Sequence, residues 1–134
     1  MMQKIEAFFQ KDKYAELTGI KLLEVSEGRA KAMLEITENH LNSAGTVHGG
    51  VIFTLADFAF EVASNSYGTL AVAINAQISF FKAVSAGVLY AEAKEVSLHP
   101  KLASYAIDVT NETGDLIASF QGMVYRKKDM LKIE

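Results

Sequence analysis

The segment from Val51 to Asn65 restricts the fold more than any other part of the sequence. It is about 15 residues long, which is the length of a helix rather than of a strand. Nearly all of its residues are apolar. A helix that is apolar on almost every side has to be surrounded by protein. We therefore predict a buried helix at this point of the chain.

Residues before this helix predict an N-terminal helical segment and a β-hairpin. Residues 2–9 place Ile5, Phe8 and Phe9 at helical spacing, and we assign residues 1–18 to the helical segment. Apolar and polar residues alternate on both sides of the turn at 26–28, which is typical of two antiparallel strands.

Residues after the helix predict four strands. From Leu70 to Phe80 the period is two, so the even-numbered apolar residues should face one way and Ala71, Ala73, Asn75, Gln77 and Ser79 the other. The connections between the later strands are too short for parallel crossover helices. We predict one α+β domain over residues 1–134, an antiparallel sheet with helices on one face. The three later strands are expected at Val88–Leu98, Leu102–Asn111 and Asp115–Arg126.

Composition excludes several classes of function. The chain has no cysteine, and its three histidines are not paired at ligand spacing, so we expect neither thiolate chemistry nor a metal site. A net charge of −3 argues against a nucleic-acid surface. Its cationic cluster, Arg126–Lys128, is predicted to be a solvated tail. Charges interrupt the N-terminus before a signal sequence could form, and no segment is long and apolar enough to span a membrane, so we expect a cytoplasmic protein without membrane contact.

The predicted helix carries a stripe of polar residues that a buried helix does not need. Thr54, Asp57, Glu61 and Ser64 follow one another at spacings of three, four and three residues, which places them on one side. The stripe is either the solvent edge of the helix or the wall of a functional site. Periodicity alone does not decide between these two interpretations.

The loop before the helix favours a functional site. Gly49 and Gly50 lie where the helix begins, and the first N–H groups of a helix lack internal partners and carry the positive end of its dipole. Glycine lets a ligand approach them closely, although a plain glycine-rich cap is the commoner case. Asp57 lies about 12 Å further along the helix than Gly49. A second subunit would be needed for both to act on one carbonyl group.

The histidines leave several roles open. His48 directly precedes the two glycines and could act as a general acid or base, donate to a carbonyl group, or cap the helix. His40 and His99 are predicted to be structural.

The run from Asn42 to Asp57, with His48-Gly49-Gly50 and Ala56-Asp57, resembles the signature of hotdog-fold acyl-CoA thioesterases of the phenylacetate-pathway (PaaI) type. The segment Ala71–Lys82 is similar to the family's strand after the helix, and the resemblance covers about residues 17–127. It implies a hotdog fold, in which an antiparallel sheet wraps around a long central helix. It also implies a homodimer or homotetramer with shared active sites. No cofactor is implied beyond the coenzyme A that the substrate carries.

The resemblance also implies roles for individual residues. Asp57 is similar to the carboxylate that activates water or attacks the thioester directly, and Gly49 to the backbone N–H donor from the other subunit. His48 resembles an accessory group near the carbonyl or the thiolate. Asn42 resembles an orienting group for the nucleophile, although taken alone it is more typical of a turn. The substrate-binding positions expected from these interpretations are Gly50, Thr54, Glu61, Asn75 and Lys82.

Some residues depart from the family pattern. Relatives carry Ser or Thr on the strand after the helix, where this chain has Ala73 and Asn75, so we take Asn75 as the substitute that positions water. Glu61 could raise the pKa of Asp57, line the acyl pocket, or point elsewhere entirely. In the pocket it would disfavour negatively charged acyl groups. Five phenylalanines could form an aromatic acyl site or simply part of the core: Phe53, Phe58, Phe60, Phe80 and Phe81.

The interpretation that results is an acyl-CoA thioesterase acting on a small, medium or aromatic acyl group. Lys82, Lys101, Arg126 and Lys127 are candidates to bind the coenzyme A phosphates, although each could be an ordinary surface charge. One alternative is a hotdog hydratase or dehydratase, which would place a histidine against a substrate carbon. The other is a sensor that binds acyl-CoA without turnover, although residues 1–18 are too few for the DNA-binding segment that such regulators usually add.

Overall fold

The apolar segment forms a helix of 16 residues, α3, from Gly49 to Ser64. The computed structural model describes residues 1–133. Two short helices, α1 (Met2–Phe9) and α2 (Lys13–Thr18), precede the sheet, and a 3-10 turn spans Glu38–His40. The strands are β1 (Ile20–Ser26), β2 (Arg29–Glu35), β3 (Thr69–Phe80), β4 (Val88–Leu98), β5 (Leu102–Asn111) and β6 (Leu116–Met130).

All six strands form one antiparallel sheet in the order β1-β2-β4-β5-β6-β3. Helix α3 contacts every strand and packs most closely on β2, β4 and β5. Leu55, Ala56, Ala59, Val62 and Ala63 of this helix are completely buried. The prediction of a buried helix against an antiparallel α+β sheet is confirmed. The hairpin and the N-terminal helix are confirmed as well, and α2 is an additional helix that the sequence pattern did not separate from α1.

The predicted alternation along β3 is wrong, because the strand contains a bulge. Ala73 pairs with Val124, and Asn75 pairs with the adjacent Met123, so Ile74 is an extra residue on β3. Cross-strand partners share a face of the sheet. Val124 is 1% exposed and Met123 is 38% exposed. Ala73 therefore faces the helix, whereas Asn75 faces the outer side of the sheet.

The sequence predicted that the C-terminal cations form a solvated tail, and this prediction is wrong. Arg126, Lys127 and Lys128 belong to β6, which continues to Met130 because β3 pairs with it as far as Thr69. The Arg126 guanidinium donates a 2.9 Å hydrogen bond to the His99 carbonyl oxygen and lies over the Tyr67 ring. Tertiary pairing orders this segment.

Gly122 of β6 leaves the space that an aromatic side chain of α3 fills. A Cβ atom at this position would lie 2.5 Å from Phe60 Cζ, and the Phe60 ring is 1% exposed. We expect Gly122→Ala to lower the free energy of unfolding by about 1–3 kcal/mol, because the buried Phe60 ring has to leave its packed position to make room for the added methyl group. Urea unfolding measures the effect. Adding Phe60→Leu should recover part of the loss, and a double variant that is no more stable than Gly122→Ala would contradict this explanation.

Candidate active site

The loop that leads into α3 is held by the side chain of Asn42. Its Oδ1 atom accepts hydrogen bonds from the Ala44 and Thr46 N–H groups at 2.9 and 3.2 Å, and its Nδ2 atom donates to Thr46 Oγ1 at 3.0 Å. Such bonds are typical of an Asx turn. Asn42 therefore fixes the loop within one protomer, and its role in orienting a nucleophile stays a prediction.

Buried His40 holds the loop in place through hydrogen bonds of its ring and of its carbonyl oxygen. Its Nδ1 atom accepts from the Thr37 N–H at 2.9 Å, so Nε2 carries the proton and donates to the Thr18 carbonyl oxygen at 2.7 Å. The His40 carbonyl oxygen accepts from the His48 N–H at 2.8 Å. These bonds give His40 a structural role that positions the residue before the helix.

The first turn of α3 leaves one donor free. Val51 and Ile52 N–H both donate to the His48 carbonyl oxygen, and Gly50 N–H donates to His48 Nδ1 at 3.0 Å. Among residues 1–133 the Gly49 N–H has no acceptor. The first four N–H groups of a helix have no i→i−4 partner within it, and here they belong to residues 48–51. Those of His48, Gly50 and Val51 have acceptors in His40 and His48, so Gly49 alone can donate to a ligand.

His48 caps the helix, and this bond indicates the tautomer of its neutral ring. Because a backbone N–H can only donate, Nδ1 is the acceptor and the neutral ring carries its proton on Nε2. The side chain is exposed at the mouth of the loop. His48 therefore offers an Nε2–H donor to a carbonyl oxygen or a thiolate. Capping and donation to a ligand, two roles that the sequence left as alternatives, are compatible in this geometry.

Phe80 packs against Gly49, the residue whose N–H group is free. A Cβ atom on Gly49 would lie 3.2 Å from Phe80 Cζ, so the absence of a side chain at Gly49 lets the ring approach the start of the helix. Phe80 is 51% exposed at the end of β3. The ring forms one wall beside Gly49.

Asp57 lies near the middle of α3, in a groove of about 290 Å³. Burial, and secondly the charge of Asp12, raise the pKa of its carboxyl group. No hydrogen bond or ion pair within the described part of the chain stabilises its ionised form. An unpartnered carboxylate with a raised pKa, open to a groove, is suited to accept a proton.

The stripe is not simply the solvent edge of the helix. Asp57, Glu61 and Ser64 line the groove, and Ser64 is buried with its hydroxyl bonded to the Glu61 carbonyl oxygen. Thr54 lies outside the groove and donates to the Gly50 carbonyl oxygen at 2.7 Å. The N–H of Gly50 is already bonded to His48. Contacts of Thr54 and Gly50 with substrate stay predictions.

Asn75 does not lie beside Asp57 of the same protomer. It lines a different cavity, with Gln77, Ser104 and Gln121, on the side of the sheet away from the helix. The bulge at Ile74 causes this reversal. Ala73 occupies the groove wall instead. The expectation that Asn75 replaces a Ser or Thr next to Asp57 is therefore wrong within one protomer.

The candidate phosphate-binding cations lie at two separate places. Lys82 follows β3 near Phe80, and its Nζ atom contacts Asp115 Oδ2 at 2.7 Å. This hydrogen bond lowers the pKa of Asp115. Arg126 lies beside Lys101, whose carbonyl oxygen accepts from the Arg126 N–H. Lys82 is thus near the Gly49 end of the protein, where a phosphate would have to compete with Asp115.

The aromatic groups in the groove are not the set that the sequence suggested. Phe8 and Phe9 of α1 line it together with Phe60, whereas Phe58 belongs to the core and Phe81 is exposed on the surface. Phe53 stacks edge-on against Phe120. The pattern in α1 revealed an apolar face, but the sequence could not show that this face covers the groove beside Asp57.

Within residues 1–133, no helix is long and apolar enough to cross a membrane. No group of three or more histidine, aspartate and glutamate side chains in the same range is arranged to hold a metal ion.

A six-stranded antiparallel sheet whose strands all contact one long helix is the hotdog fold. Here Gly49 lies at the start of that helix and Asp57 near its middle. Comparison with known proteins identifies the family. The family described as "Thioesterase superfamily" matches residues 44–118, which contain the loop, α3 and strands β3 to β5.

Individual relatives agree with this match. A protein of Archaeoglobus fulgidus is 46% identical, over 94% of this chain and 83% of the relative. The acyl-coenzyme A thioesterase PaaI of Escherichia coli is 34% identical, over 92% of this chain and 89% of its own. The solved structure of the E. coli PaaI protein superimposes with a TM-score of 0.91 at 31% identity, covering 96% of this chain and 94% of that one. The chain belongs to the thioesterase superfamily and is a thioester hydrolase.

Proposed function

We propose that the protein hydrolyses acyl-coenzyme A thioesters at a site shared by two protomers. The observation that carries the proposal is the single free N–H group at the start of α3, on Gly49, about 12 Å along the same helix from the unpartnered carboxylate of Asp57. One thioester carbonyl cannot reach both groups in one protomer. A second copy that runs alongside would bring its Gly49 to the first copy's Asp57.

The open edge of the sheet supports a homo-oligomer. Strand β3 is the last strand, and its outer backbone groups have no partner strand in the protomer. Val72 and Ile74 on this strand are 38% and 55% exposed. A long apolar edge strand is a surface that proteins normally cover. Pairing with a second copy would cover it.

The chemistry follows from the two groups. In one route, Asp57 takes a proton from water, and the water oxygen bonds to the thioester carbon. The carbonyl oxygen becomes negative and accepts from the partner's Gly49 N–H. The C–S bond then breaks, and the thiolate of coenzyme A takes the proton from Asp57. In the other route, an Asp57 carboxylate oxygen bonds to the thioester carbon, and the C–S bond breaks to release the thiolate of coenzyme A. Water then hydrolyses the resulting anhydride, which releases the acid and restores the Asp57 carboxylate; the proton that water gives up goes to the thiolate.

Accessory groups act around this centre. His48 Nε2–H can donate to the carbonyl oxygen or to the leaving thiolate, while Asn42 holds the loop that positions Gly49. The reaction requires no cofactor beyond the coenzyme A of the substrate. The E. coli relative is named an acyl-coenzyme A thioesterase, and its similarity extends along nearly the whole chain. Hydrolysis is therefore favoured over the hydratase and sensor interpretations.

Release of free thiol from a panel of short, medium, long and aryl acyl-CoAs tests the proposal. We expect turnover of at least one of these esters by the intact protein, followed with a thiol-reactive dye. An enoyl-CoA in the same panel, followed by its ultraviolet absorbance, detects hydration. Binding of acyl-CoA without thiol release, or hydration in its place, would overturn the proposed function.

A further inference from the structure

Glu61 forms part of the wall between two adjoining grooves. The first is the groove beside Asp57, which has apolar walls contributed by Phe8, Phe9 and Leu131 among others. The second has a volume of about 410 Å³ and lies between α1 and the C-terminal residues. Phe8, Phe9 and Glu61 line both grooves. Glu61 therefore marks the place where the groove beside Asp57 opens towards a second, more polar one.

Glu61 lies one helical turn beyond Asp57, which corresponds to about 6 Å along the axis. A chain that extends from a carbonyl group at Asp57 along the groove reaches Glu61 within a few carbon atoms. Ser64 and Asn65 also line this groove, but both side chains donate hydrogen bonds to the Glu61 carbonyl oxygen at the end of α3. Glu61 is therefore the charged side chain that the first groove offers beyond Asp57.

Charged groups face Glu61 from several elements. Asp57 lies on its own helix, Asp12 on the link between α1 and α2, Lys4 and Lys11 on or next to α1, and Lys132 near the C-terminus. None of the three lysines forms an ion pair with Glu61 in the part of the chain that the structure describes. Solvent reaches Glu61, which is an exposed residue. The groove walls nevertheless desolvate its carboxyl group in part, and this burial, followed by the charges of Asp12 and Asp57, raises its pKa to about 7.

We propose that Glu61 selects acyl groups by the charge at the end farthest from the thioester. It admits tails that are apolar or donate a hydrogen bond, and it excludes tails that end in a carboxylate. The physical reason is that two carboxylates close together in a groove with apolar walls repel each other more strongly than they would in water. This inference rests on the proposed function, since it concerns the acyl groups that the same site accepts.

The test compares two substrates in the intact protein and in Glu61→Gln. One is the neutral acyl-CoA that the parent hydrolyses fastest. The other carries the same acyl group with a carboxylate added at its far end. We expect Glu61→Gln to raise the ratio of kcat/KM for the charged over the neutral substrate by about tenfold at pH 8, a value that allows for the exposed edge of the side chain.

The pH dependence of this ratio distinguishes an effect of the charge of Glu61 from an effect of the shape of its side chain. The added carboxylate of the substrate stays ionised across neutral pH, whereas Glu61 loses its proton as the pH rises through about 7. The ratio should therefore fall with increasing pH through about 7 in the parent and fall much less in Glu61→Gln. Taking a ratio cancels the catalytic effect of Asp57 ionisation, because that group acts on the thioester of both substrates. Repulsion of the added carboxylate by Asp57 is present in both proteins, so the difference between their pH profiles reports Glu61.

Two further variants complete the experiment. Glu24→Gln removes an equal charge from exposed β1, at the other edge of the sheet, and should leave the ratio unchanged. Glu61→Lys should raise the ratio above that of Glu61→Gln, because attraction replaces repulsion. If both Glu61 variants hydrolyse the neutral ester and keep the parental ratio, the inference is wrong. If the parent releases thiol from no acyl-CoA, the proposed function fails instead.

Discussion

Asp57→Asn should lower kcat for acyl-CoA hydrolysis by about 10²- to 10⁴-fold, the range expected when a positioned general base is lost. The amide has the same shape as the carboxylate but cannot take a proton from water or attack the thioester. KM should change little, because the groove beside the residue keeps its walls. Steady-state thiol release from the best acyl-CoA of the panel provides the measurement.

The same substitution should not destabilise the fold. Burial raises the pKa of Asp57 above its unfolded value, so the folded state binds the proton more tightly than the unfolded state does. The contribution of Asp57 to the free energy of unfolding is therefore fully present below its pKa in the unfolded chain. This contribution is lost as the pH rises through its pKa in the folded protein. The amide of Asp57→Asn cannot ionise, so at pH 8 the Tm of the variant should equal or exceed that of the parent. A variant that is folded and as active as the parent would remove Asp57 from the mechanism.

Gly49→Pro should lower kcat/KM by about 10²- to 10³-fold, which is typical when one donor to a developing oxyanion is removed. Proline is well suited to the first position of a helix. His48 already has the extended backbone, with φ −60° and ψ 134°, that a residue before proline adopts. The Gly49 N–H has no acceptor in the described chain, so the substitution breaks no hydrogen bond of the protomer.

Gly49→Ala is the matched control, because it keeps the N–H and adds the same Cβ atom against Phe80. The half-exposed ring can move by the few tenths of an ångström that this contact requires. We expect the alanine variant to retain much more activity than the proline variant. Equal losses would show that crowding at Phe80, rather than the missing donor, causes the effect.

Mixing the two inactive variants tests whether the site is shared. In a heterodimer of Asp57→Asn with Gly49→Pro, one of the two sites joins an intact Asp57 to an intact Gly49. Random pairing of equal amounts should then restore about a quarter of the parental activity. Co-expression with two affinity tags allows the mixed species to be isolated. A mixed dimer as inactive as its parents would place both groups of each site in one protomer.

The bounds of β3 could be predicted from the sequence, but its register could not. The alternation of apolar residues predicted the strand at nearly its observed bounds, because side chains on successive residues point to opposite faces. The pattern could not reveal the bulge at Ile74, which arises from pairing with β6, some fifty residues further along the chain. Asn75 consequently faces outward, and the strand residue beside Asp57 is Ala73.

Local sequence also predicted the start of α3 but not which of its donors is free. Two glycines at a helix start are compatible with an anion site, although a plain cap is the commoner case. Only the bond from Gly50 N–H to His48 Nδ1, and the positions of the following N–H groups, show that Gly49 is the one without an acceptor. The role of Glu61 depends in the same way on α1, which approaches it across the fold.

The sequence by itself determined the long buried helix, the antiparallel sheet and the motif from Asn42 to Asp57, because these depend on hydrophobic periodicity and on residues close together in the chain. Tertiary structure decided which face Asn75 occupies, which N–H remains free and which side chains enclose the groove at Asp57 and Glu61. Those features depend on strand register and on contacts between segments far apart in the chain, which no local pattern of residues specifies.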